Sequence, residues 1–107
     1  MQPIQARRIL VGMFDRKPAS VSAAEGARAA EEGRVVVYWR KGCPFCKRLQ
    51  LTLGKKVRDV VWVDVWADAD ASAYVRSVNG GDEVVPTVVI GGVPHTNPPP
   101  GEVRAAV

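Results

Sequence analysis

An α/β fold, with a mixed four-stranded sheet flanked by helices, is what three features of this sequence predict. Two valine-rich runs, Val35-Val36-Val37-Tyr38-Trp39 and Val60-Val61-Trp62-Val63-Asp64-Val65-Trp66, are separated by a helical pattern, as in a β-α-β unit. A third run, Val85-Pro86-Thr87-Val88-Val89-Ile90, meets Val93-Pro94-His95-Thr96 across Gly91-Gly92, which reads as a β-hairpin. The two cysteines, Cys43 and Cys46, fall where the first run gives way to a helix. A right-handed crossover followed by a hairpin produces the mixed sheet.

The 107 residues suit one domain. Residues 1–19 are charged and weakly periodic, and they read as an N-terminal arm before a domain at 20–107. The arm's apolar patch, Ile9-Leu10-Val11-Gly12-Met13-Phe14, is expected to dock on the domain, with a partner or a membrane surface as alternatives. Ser22-Ala23-Ala24-Glu25 has the form of a capping box opening an extra N-terminal helix, which Gly33 ends. The run at 35–39 is apolar on successive residues, so both of its faces should be buried. The next helix is expected from Pro44 to Leu53, with Cys46, Leu49 and Leu53 on one face and Gly54 as its stop. A second buried strand covers 60–66, and Trp62 and Trp66 are taken as packing residues, with a place lining the groove near the cysteines as the alternative for one of them. Asp68 caps a further helix whose stripe is Ala71, Tyr74, Val75 and Val78, ended by Asn79-Gly80-Gly81. Asn97-Pro98-Pro99-Pro100 breaks the hairpin's second strand, and the last seven residues form a short helix.

A disulfide between residues three apart closes almost no loop, so Cys43-Pro44-Phe45-Cys46 is a poor structural staple and a good reactive pair. That points to a reducing, cytoplasmic compartment. A free thiol has a pKa of ~8.5, and the thiolate is the nucleophile, so the site must favour the charged form. At a helix N-cap the unpaired N–H groups of the first turn point at the sulfur. Arg40, Lys41 and Lys47 add positive potential. Pro44 suits the first helical position, where a missing N–H costs least. Cys46 lies deeper and keeps its proton. These considerations make Cys43 the attacking thiol and Cys46 the resolving thiol.

The strand leading into Gly42-Cys43-Pro44-Phe45-Cys46, together with Val84-Val85-Pro86-Thr87 downstream, resembles the glutaredoxin family, which has a thioredoxin-like fold. The stretch Ser77 to Val88, followed by Thr96-Asn97-Pro98, is especially similar to the actinobacterial mycoredoxins. The resemblance covers about residues 20–107. It implies a cis Pro86, a backbone at Val85 that hydrogen-bonds a low-molecular-weight thiol, and a redox-active cysteine pair. The implied groove for that thiol comprises Arg40, Lys41, Pro44, Phe45, Val85, Pro86, Thr96 and Asn97. Glutathione-using glutaredoxins carry a Gly-Gly and Asp-type motif where this chain has Thr96-Asn97-Pro98, which favours a different thiol, and the resemblance to mycoredoxins, which work with mycothiol, implies mycothiol over glutathione. Val84 replaces the usual Thr, and the Pro-Phe between the cysteines differs from the Gly-Tyr of many mycoredoxins. The implied activity is thiol–disulfide exchange on mixed-disulfide protein substrates, with no metal.

Two other readings use the same cysteines: a thioredoxin-like redoxin reduced directly by a flavin reductase, and a metal or iron–sulfur carrier. A structural zinc site needs four ligands, and His95 is the chain's lone histidine. His95 is read as a surface hairpin residue. A net charge of +4 is too mild and diffuse to indicate nucleic acid. No segment approaches the ~20 apolar residues of a membrane span, and Asp15-Arg16-Lys17 closes the apolar patch without a signal-peptide cleavage site. A monomer is expected.

Overall fold

The structure, a computed structural model, describes residues 18–107. The readings of the 1–17 segment, its docking patch included, lie outside the described residues. The chain forms β1 (Ser20–Val21), α1 (Ala23–Glu31), β2 (Val36–Trp39) and α2 (Pro44–Leu53). It continues through a 3-10 segment (Gly54–Asp59), β3 (Val61–Asp64), α3 (Ala69–Val78), the β4–β5 hairpin (Thr87–Ile90 and Val93–Thr96) and α4 (Pro100–Ala106).

The four expected strands are present, and the edge strand β1 makes a fifth, in the order β1-β3-β2-β4-β5. β1, β3 and β2 run parallel, while β4 and β5 are antiparallel. All of β2 is buried, as its unbroken apolar pattern requires. Tyr38 pairs with Val63 on one side and Thr87 on the other. The end of β2 and the start of β4 therefore meet at one end of the sheet, and this brings Cys43 to Pro86.

Local chemistry explains the helix starts. In α1 the Ser22 hydroxyl accepts from the Glu25 N–H at 3.1 Å, and the Glu25 carboxylate accepts from the Ser22 N–H at 3.2 Å. Asp68 caps α3 by accepting from the Asp70 N–H at 3.0 Å. Its other oxygen accepts from the Ala23 N–H at 2.8 Å, so one carboxylate ties the starts of α1 and α3. α2 packs on α4.

Gly54 ends α2 as expected, and a 3-10 segment follows it directly. Three expectations need correction. β3 stops at Asp64, because the Asp64 side chain accepts from the Trp66 N–H at 2.8 Å and turns the chain. Trp66 is consequently 63% exposed rather than packed in the core, whereas Trp62 is buried. In α3 the buried face carries Ala71, Ser72 and Val75, and Val78 is exposed.

α1 reaches the sheet through Gly26. A Cβ there would stand 2.6 Å from Cγ2 of the fully buried Val63. Gly26→Ala gains up to about 1 kcal/mol of helix propensity. It also overpacks a core contact at a cost of about 1–3 kcal/mol. The expected result is a net loss of stability, read as a lower urea midpoint at unchanged slope. A raised midpoint would show that α1 can move off the sheet freely.

Candidate active site

Cys43 is the N-cap of α2, and Pro44 holds the first helical position. The Cys43 backbone is extended, and its Sγ accepts from the Cys46 N–H at 3.2 Å. One of the helix's unpaired donors is therefore aimed at the sulfur. On its other side Sγ lies 3.6 Å from the Val85 carbonyl, to which the thiol form donates. Val85–Pro86 is a cis peptide, as the resemblance implied.

Both cysteines are reduced and buried, Cys43 at 6% exposure and Cys46 at 3%. Burial pushes the Cys46 thiol up from 9.0 to about 12, and a side-chain hydrogen bond with Cys43 adds to the effect. The Arg40 backbone and charge oppose it more weakly. At neutral pH Cys46 is a protonated thiol beside the Cys43 sulfur.

This has a consequence for stability. Cys46 holds its proton to higher pH in the folded chain than in the unfolded one, and burial likewise raises Tyr38 from 10.0 to about 12. The unfolded state then binds fewer protons across roughly pH 9–12. Stability is complete below that window and falls as pH rises through it, by at most ~1.4 kcal/mol per pH unit for each group. Urea midpoints of the reduced protein should therefore drop between pH 8 and 10.5, and less so in Tyr38→Phe. A flat profile would contradict the burial argument.

Seven of the eight residues expected to line a groove fall into three sets. Phe45, Pro86 and Asn97 border a cleft of about 240 Å³ beside α2, together with Arg48, Leu49 and Pro98–Pro100. Phe45 is 52% exposed. Asn97 has a positive φ of 44°, and its N–H donates to the Pro86 carbonyl at 2.8 Å, joining the two loops. Val85 and Pro44 adjoin the Cys43 sulfur instead. Arg40 and Lys41 lie on the approach from β2. The Arg40 guanidinium stacks 4.9 Å from the centre of the Trp66 ring, and it donates to the Lys41 carbonyl at 3.2 Å.

Thr96 is exposed and meets a partner that the sequence did not single out. Its hydroxyl donates to Asn79 Oδ1. The Asn79 amide in turn donates to the Val75 carbonyl at 2.8 Å and to Thr87 Oγ1 at 3.0 Å. Asn79 thereby fastens the end of α3 to both loops of the cleft. Its place before Gly80-Gly81 signalled only a helix stop. Trp39 has a packing role, since it is buried and its indole N–H donates to Ser20 Oγ at 2.9 Å.

Among the described residues, no three His, Cys, Asp or Glu side chains converge as metal ligands, and no helix is long and apolar enough to cross a membrane. The Glutaredoxin family model matches residues 35–95. Mycoredoxin 1 of Corynebacterium glutamicum is 38% identical over 74 residues, covering 68% of this chain and 91% of that protein. A protein of Mycobacterium tuberculosis with a glutaredoxin name is 36% identical over 72 residues, 66% of this chain and 86% of its own. Glutaredoxin C1 from Populus tremula x tremuloides superposes with a TM-score of 0.52 at 24% identity, over 68% of this chain and 74% of that one, and so shares the fold.

Proposed function

The chain belongs to the glutaredoxin family and is a thiol–disulfide oxidoreductase, and on that premise we propose that Cys43 exchanges a low-molecular-weight thiol, mycothiol, with protein mixed disulfides. The observation that carries this reading is Cys43 Sγ at the start of α2, with a backbone N–H on one side and the Val85 carbonyl on the other.

The Cys43 thiolate attacks the small thiol's sulfur in a protein–small-thiol disulfide. The S–S bond breaks, the protein leaves as a thiolate that takes up a proton, and Cys43 keeps the small thiol as a mixed disulfide. A second small thiol, as its thiolate, then attacks that same small-thiol sulfur. This releases the oxidised small-thiol dimer and restores Cys43. Alternatively Cys46, once deprotonated, attacks the Cys43 sulfur, forming the Cys43–Cys46 disulfide and releasing the small thiol. Burial holds Cys46 protonated, which slows its attack at neutral pH.

Mycothiol is favoured over glutathione for two reasons. Thr96-Asn97-Pro98 supplies no carboxylate to hold an amino terminus, and the mycoredoxin similarity extends over most of the chain. The setting for such chemistry is a reducing cytoplasm, with the protein acting as a monomer.

The test is a coupled assay on one protein mixed disulfide with mycothiol, glutathione or a thioredoxin-reductase system as the electron source. Turnover should be at least about tenfold faster with mycothiol than with either alternative, a discrimination of ~1.4 kcal/mol. Faster turnover with glutathione, or direct reduction by the flavoenzyme, would contradict the proposal.

A further inference from the structure

Trp66 has a chemistry that the exchange reaction does not use. The residue is 63% exposed, yet its ring is held at two points. The indole N–H donates to Glu83 Oε1 at 3.2 Å, and one face stacks on the Arg40 guanidinium at 4.9 Å. Glu83 is itself anchored, since its second oxygen accepts from the Ser72 hydroxyl. The site lies at the end of the sheet that carries Cys43. Trp39 pairs with Asp64 across β2 and β3, and the Val65 N–H donates to the Trp39 carbonyl at 2.9 Å, so Trp66 and Arg40 emerge side by side. Three residues after Arg40 comes Cys43.

An exposed aromatic face fixed in this way is a stacking platform. Arg40 and Glu83 bring opposite charges to it, so their fields largely cancel there and an anion gains little. A neutral polyol gains more. The C–H faces of sugar and cyclitol rings stack on indole, while their hydroxyls take hydrogen bonds from guanidinium groups and give them to carboxylates. Mycothiol is an N-acetylcysteine joined to an aminosugar and an inositol ring, so its thiol end and its polyol end need separate sites.

We propose that Trp66, with Arg40 and Glu83 around it, binds the sugar–inositol part of a glycosylated thiol whose sulfur is at Cys43. This rests on the reading of Cys43 as the thiol-carrying residue. It assigns discrimination to a residue that takes no part in sulfur exchange.

The test compares wild type, Trp66→Ala and Trp66→Phe on two mixed disulfides of one peptide, formed with mycothiol or with N-acetylcysteine, which lacks the rings. Wild type should prefer the mycothiol disulfide by about tenfold in kcat/KM. Trp66→Ala should lose most of that preference through KM, with N-acetylcysteine turnover within about twofold of wild type. Trp66→Phe, which keeps an aromatic face, should fall between them. Equal losses on both disulfides, or an undiminished preference, would overturn the platform while leaving Cys43's role standing. A wild type that turns over neither disulfide would overturn both readings.

Discussion

Replacing Cys43 by serine should abolish reductase activity, with a loss of at least about 10³-fold, because the other thiol near α2, Cys46, is buried and held protonated. The serine hydroxyl can still accept the Cys46 N–H that caps the helix, so the fold should survive, with a urea midpoint close to wild type. Cys46→Ser should behave differently. It removes the intramolecular route and leaves exchange with a second small thiol intact, so turnover of small-thiol mixed disulfides should stay within a few-fold of wild type. A Cys43→Ser variant with substantial activity, or a Cys46→Ser variant without any, would reverse the assignment of the two sulfurs.

Asn79→Ala should have the next largest effect, although the Asn79 side chain bonds to Val75, Thr87 and Thr96 and not to either sulfur. The substitution removes two donated hydrogen bonds and one accepted bond, and with them the link between α3, Thr87 and Thr96. Losing partners at a part-buried network costs about 1–3 kcal/mol. Thr87 follows Pro86 directly, and Thr96 precedes Asn97, whose N–H holds the Pro86 carbonyl. Loosening both loops should raise KM for the small-thiol disulfide by about tenfold, with a smaller effect on kcat. Asn79→Asp keeps the acceptor and loses both donors, so it should resemble alanine more than wild type. A stability loss with unchanged KM would make Asn79 structural only.

What was legible in the sequence was what neighbouring residues decide. α2 spans Pro44–Leu53 as expected, because an N-cap, a proline at the first helical position and a helical apolar stripe all agree. The capping box of α1 and the glycine turn of the hairpin are equally local. β1 was not legible. Two residues have no periodicity, and Ser20–Val21 becomes a strand only by pairing with Trp62 and Val63. Trp66 misled for a related reason, since an aromatic after five apolar-rich positions looks like more strand until the Asp64 side chain turns the backbone.

The same division runs through the candidate site. The cysteine pair was readable from spacing, and Val85–Pro86 from its resemblance to a family segment. The cleft's far wall was not, because Arg48, Leu49 and Pro98–Pro100 converge only when α2 and the loop after β5 are folded together. Asn79 stayed hidden because its three partners come from α3, β4 and β5, and a sequence does not show which polar groups will share a network.

The central claim is that Cys43 carries a small thiol as a mixed disulfide. The most direct measurement is intact mass, with peptide mapping, of the Cys46→Ser variant after exposure to oxidised mycothiol or oxidised glutathione. The account predicts one mycothiol adduct, located on Cys43 and formed well ahead of any glutathione adduct. A glutathione adduct formed as readily, or no adduct on Cys43 with either thiol, would contradict it.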